Sequence, residues 1–125
     1  MSNKRGLIRD AIRDLLEPLF SFPVYTGRDV DGRKVPQFIN VYLPTGDVEY
    51  AVLQKSTTAV LAVSYRVEDV VDDDDLDVVA DKIEAAMKPQ ALGDLVSGML
   101  YDGFEYLDER ERGFDGITLR FNVVY

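Results

Sequence analysis

The chain has 125 residues, of which 46% are apolar, and its 23 acidic against 14 basic side chains leave a net charge of −9. That is the size of one domain, long enough to bury its own core, and too apolar for disorder. Cys and His are both absent, which removes thiol nucleophiles, Ser–His–Asp triads, disulfides and ordinary Zn sites; carboxylate, Lys or Tyr chemistry and hard-cation binding through oxygen remain.

The acidic balance has the wrong sign for a duplex-binding surface, so no sequence-specific nucleic-acid partner is expected. No apolar run approaches the ~20 residues of a membrane span. The start, Met1-Ser2-Asn3-Lys4-Arg5, opens an amphipathic stretch rather than a signal-peptide core. The expectation is a chain folded in the cytoplasm with no membrane partner.

Leu7, Ile8, Ala11, Ile12, Leu15 and Leu16 recur at helical spacing and predict a helix over residues 3–17. Arg9, Asp10, Arg13, Asp14 and Glu17 fall outside that stripe, and Pro18 ends it. Val24 and Tyr25 suggest a short strand, followed by an exposed, charged loop around Gly27 and Gly32. Residues 36–43 read as a strand with Ile39, Val41 and Leu43 on one face. Pro44-Thr45-Gly46-Asp47 then reads as a turn, with a second strand over residues 48–53. Residues 57–67 alternate cleanly, with Ala59, Leu61, Val63, Tyr65 and Val67 on one side.

Residues 68–77 hold seven acids and no base, and without them the net charge would be −2. A helix is predicted over residues 73–88 from Leu76, Val79, Ile83, Ala86 and Met87, ended by Pro89. A short helix over 91–98 comes next, with Leu92, Leu95 and Val96 inward. Phe104 and Tyr106 alternate with Glu105; after a charged loop, Ile117, Leu119, Phe121, Val123 and Tyr125 form the clearest strand in the chain. The fold class expected is α+β: one domain over 1–125, an antiparallel or mixed sheet of about five strands, and two main helices on one face.

The acidic run is the conspicuous constellation. Asp72 suits an N-cap, and Asp73, Asp74 and Asp75 suit a first helical turn, where exposed carboxylates stabilise the macrodipole by ~0.3–1 kcal/mol each, less their mutual repulsion. The same oxygens suit a weak, hydrated Mg²⁺ or Ca²⁺ at Asp73, Asp74 and Asp77. The run is no EF-hand: counted from Asp72, Asp77 stands where Gly is required and Ile83 where Glu is required. If Asp72, Asp73 and Asp75 lie at a subunit boundary, identical subunits repel there and Mg²⁺ or salt screens the repulsion. No pair of carboxylates is spaced for glycoside hydrolysis, there is no Trp platform, and no Gly-rich phosphate loop occurs. Phe38 and Tyr42, opposite Ile39 and Val41, are either packing residues or contacts with another subunit. Arg110 and Arg112, with Asp108, Glu109 and Glu111, are either a solvated hairpin or a salt-bridging contact.

The order of elements resembles the tail-terminator family of long-tailed phages, that of the minor tail protein U of lambda-like phages. The resemblance is carried by the strand ending Val41-Tyr42-Leu43, the strand over residues 59–67, and the acidic helix start Asp73-Asp74-Asp75-Leu76-Asp77. It continues through residues 91–99, Gly103-Phe104-Glu105-Tyr106 and the final strand 117–125. It spans about two thirds of the chain and leaves out residues 21–34. It implies a non-enzymatic virion protein without cofactors, forming a hexameric ring. The ring would cap the tail tube, end its polymerisation and offer a surface to the head. The implied partners are further copies of itself, the tail tube protein and head–tail connector proteins. A head-completion or tail-tube-like ring protein is the alternative, and a small regulator or enzyme the third.

Overall fold

Ile8, Ile12 and Leu16 recur every four residues, which puts them on one face of helix α1 (Lys4–Leu16), and all three are fully buried. The structure is a computed structural model, and it describes residues 4–27, 36–52, 54–68, 72–109 and 114–125. Pro18 cannot continue the α-helix, and the chain closes it with a 3₁₀ turn, Glu17–Leu19. Strand β1 (Val24–Thr26) comes next, then the long β2 (Gln37–Ala51) and β3 (Gln54–Val67). Helix α2 (Asp73–Ala86) leads through a 3₁₀ segment, Pro89–Leu95, into β4 (Gly98–Glu109) and β5 (Phe114–Val124).

The strands form one mixed sheet in the order β1-β2-β3-β5-β4, parallel between β1 and β2 and antiparallel elsewhere. Cross-strand partners share a face, so the register defines the core. Ile39, Tyr65 and Ile117 form one row; Val41, Val63 and Leu119 the next; Leu61 with Phe121 and Ala59 with Val123 complete it. Both helices cover that face, α1 over β1 and β2 and α2 over β3 and β5. The expected α+β layering is the observed one.

Three local readings differ. Pro44-Thr45-Gly46-Asp47 is no turn: β2 runs through it, because residues 45–51 go on pairing with residues 54–60 of β3. A bulge between Tyr42 and Thr45 takes up the irregularity, and Pro44, which lacks a ladder donor, falls inside it. In place of the helix expected over 91–98 there is a 3₁₀ segment, Pro89–Leu95, and Gly98 already begins β4, though Leu92 and Val96 are buried as expected. The strand around Phe104 and Tyr106 is twelve residues long and forms one edge of the sheet.

The helix-free face is partly closed as well. Phe38 is 1% exposed, with the Tyr25 and Phe114 rings 6.1 and 6.2 Å away. The buried hydroxyls of Ser64 and Thr118 share a 2.7 Å hydrogen bond, and the Tyr42 hydroxyl reaches Ser64 at 3.4 Å. These polar groups are therefore satisfied within the sheet. Gly116 sits where a Cβ would collide with the Tyr65 carbonyl of β3, so β5 approaches β3 there only without a side chain.

Candidate interaction groove

On α2, Asp77, Asp81 and Glu84 recur at i, i+4 and i+7, and so line up along one flank. That flank faces β4. A bulge between Tyr101 and Gly103 makes Asp102 the extra residue and reverses the alternation. Gly103 accommodates it with φ +138°, a value that L side chains rarely adopt, and the Arg120 guanidinium lies over the place a Cβ would occupy. As a result Tyr101, Phe104 and Tyr106 all share a face, opposite Phe121, Leu119 and Ile117 respectively.

An open groove of about 330 Å³ results, floored by Ile117 and Leu119, with aromatic rings on one side and three carboxylates on the other. Among the described residues none that lines it is basic. The Tyr106 hydroxyl donates to Asp77 Oδ1 at 2.6 Å, bridging the two walls. That carboxylate holds the proton on, so the Tyr106 hydroxyl is pushed up to about 12, with smaller contributions from lost hydration and from the charges of Asp73 and Asp74. Burial raises Tyr101 as well, helped by Glu84 and Asp81 and opposed by Arg120. Phe104 and Tyr106 meet edge to face at 5.5 Å, and Tyr101 lies 5.3 Å from Phe121. Phe104 is nevertheless 53% exposed. Aromatic faces beside a row of three carboxylates suit a cationic side chain attached to an apolar one.

The second open feature is the end of the β2–β3 hairpin. Beyond Thr57, which exchanges backbone hydrogen bonds with Tyr125, only β2 and β3 pair with each other. Val48 lies opposite Thr57 and Tyr50 opposite Lys55, all on the helix side of the sheet; Arg5 of α1 lines a small pocket with Val48 and Thr57, and Tyr50 and Lys55 lie beyond it. Tyr50 is 78% and Val52 92% exposed. Asp47 and Glu49 alternate onto the other side.

The residues expected from the sequence fall in various places. Asp72 does hold the N-cap position of α2, but its carboxylate makes no capping hydrogen bond; its carbonyl accepts from Asp75 and Leu76. Asp73, Asp74 and Asp75 are exposed in the first turn. Asp77 is engaged by Tyr106. Among the described residues no group of three or more acids is arranged to hold a metal ion. Of the two readings open for Phe38 and Tyr42, packing is the one seen for Phe38, which is buried inside the chain, and Tyr42 is half-buried against Ser64. Arg110 and Arg112 lie outside the described residues. Sequence reasoning does not single out Tyr101, Asp81 or Glu84; the i, i+4, i+7 spacing of the acids is there to be found, whereas the bulge that aligns Tyr101 with Phe104 is not.

These features define an α+β protein, a five-stranded mixed sheet with two main helices on one face and an open groove beside the edge strand. Among solved structures, it is similar to a chain in the virion of a native gene transfer agent (GTA) particle. The TM-score is 0.66, over 99% of this chain and 98% of that one, at 13% identity. At that identity the likeness shows a shared fold. No family model and no curated protein matches the sequence. No helix among the described residues is long and apolar enough to cross a membrane.

Proposed function

We propose that this protein is a structural subunit of a phage-like virion. More specifically, it is a tail terminator: a ring, hexameric as the family resemblance implies, that caps the tail tube, ends its polymerisation and presents a surface to the head. The observation that carries this reading is the end-to-end likeness to a chain of a gene transfer agent virion, which covers 99% of one chain and 98% of the other. It is supported by the order of elements along the chain and by two open, dissimilar surfaces on one subunit, which a closed head-to-tail ring requires. Its work is then binding geometry without catalysis. Its partners are further copies, the tail tube protein and head–tail connector proteins, and its place is the virion tail after assembly in the host cytoplasm.

The exposed acids Asp72, Asp73, Asp74 and Asp75 are proposed to make ring closure sensitive to Mg²⁺ and salt. Likeness to a virion chain also accommodates a head-completion or tail-tube-like ring, so the experiment separates the two. Purified protein is examined by negative-stain microscopy and light scattering across Mg²⁺, salt and protein concentration. A closed ring of about six copies is expected, and a monomer under every condition overturns the reading. Deleting the gene from its phage or prophage should give overlong tails; tailless heads would favour head completion.

A further inference from the structure

We propose that the ring is made by insertion: the β2–β3 arm of one copy seats in the α2–β4 groove of the next. This rests on the tail-terminator ring and names the contact that would build it. The arm presents Val48 and Tyr50 on one side and Val52 at its tip, with Lys55 directly opposite Tyr50. The groove presents Tyr101, Phe104 and Tyr106 beside Asp77, Asp81 and Glu84. Apolar and aromatic surface thus meets its like, and a lysine meets a row of carboxylates beside which no described lining residue is basic.

The tip chemistry points the same way. Its Val52 holds φ +30°, a conformation that disfavours β-branched residues and that hairpin tips ordinarily give to Asn or Gly. An apolar side chain kept at 92% exposure in such a place does nothing for the isolated chain.

A copy cannot fill its own groove. Lys55 and Val63 are eight residues apart on β3, about 27 Å of strand, and Val63 lies in the row of Leu119 and Phe104 that floors and flanks the groove. Arm and groove also sit on different strands, β2 and β3 against the edge strand β4. Contact between them is therefore heterologous and can propagate from copy to copy until it closes.

The chain contains no cysteine, so paired substitutions report the contact directly. Tyr50→Cys with Phe104→Cys in one chain, oxidised in full-length protein under ring-forming conditions, should give a ladder of disulfide-linked species up to the ring. Tyr50→Cys with Leu19→Cys, placed on the exposed turn after α1, should not. Separately, Lys55→Glu should raise the concentration at which rings form by about tenfold, a change of ~1.4 kcal/mol, and adding Asp81→Lys should restore it. Circular dichroism and thermal melts check that each variant folds. Rings that form without the Tyr50–Phe104 ladder, a control ladder of equal strength, or assembly indifferent to Lys55→Glu would overturn the insertion and leave the ring standing. Protein that never leaves the monomer overturns both.

Discussion

Helices α1 and α2 lie on the same face of the sheet and are nearly equal in length, 13 and 14 residues. Under α1 the buried side chains are Ile8, Ile12 and Leu16, each large and each fully buried. Under α2 they are Leu76, Ala80 and Ile83. The small Ala80 stands between the two large residues, and the space its side chain leaves above Ile117 and Leu119 is part of the groove. Their outer flanks differ too: Arg13 of α1 pairs with its neighbours Asp10 and Asp14, whereas the groove flank of α2 holds three acids in a row. Apolar spacing decides which side of a helix turns inward. Side-chain volume decides whether that side closes the layer or leaves a place for something else.

Substitutions on each side sharpen that contrast. Ile12→Ala, at a fully buried position of α1, should cost ~2–5 kcal/mol of stability in urea unfolding, since the cavity cannot collapse between helix and sheet. Gly116→Ala should cost ~1–3 kcal/mol, because the clash is with backbone and a flexible side chain cannot absorb it. Phe104→Ser, in the open half, should change stability by about 0.5 kcal/mol or less while abolishing rings in the sizing experiment. A stability loss comparable to that of Ile12→Ala would mean the groove is core and not a contact surface.

The smallest effect concerns the bridge across the groove. The folded value of Tyr106, about 12, lies above the ordinary 10 of an unfolded tyrosine. Its contribution is therefore complete below pH 10 and is lost as pH rises through 12. Ultraviolet titration should show a late-ionising component, to which the raised Tyr101 and Tyr65 also contribute, and Tyr106→Phe should remove one tyrosine's share of it, with only a slight change in melting temperature at pH 7. A late component that Tyr106→Phe leaves unchanged would exclude the Asp77 hydrogen bond.

Much of the framework is readable from spacing. The stripe Ile8, Ile12, Leu16, the alternation of residues 59–67 and that of residues 117–123 each match a single period, and each becomes the element expected. The failures come where local signals meet pairing over distance. Pro44-Thr45-Gly46-Asp47 has turn chemistry, yet β3 supplies partners on its far side and the strand continues. Phe38 alternates onto the face opposite the helices, which in a two-layer fold should be open; Tyr25 and Phe114, distant in sequence, close around it. Residues 98–101 precede the clear alternation of 104–106, and a bulge at Asp102 shifts their phase, so one face of β4 cannot be traced along the sequence.

By itself, then, the sequence determined the α+β class, the inward side of each main helix and of the central strands, and the concentration of acid around the start of α2. Hydrophobic period and net charge are local properties, and they need no partner to be read. Only the tertiary structure decided that one hairpin outruns the helices and becomes an arm. It also decided that three acids and three aromatic rings face each other across a small alanine. Both depend on which strand lies beside which, and in what register, and that is settled by contacts between residues far apart along the chain.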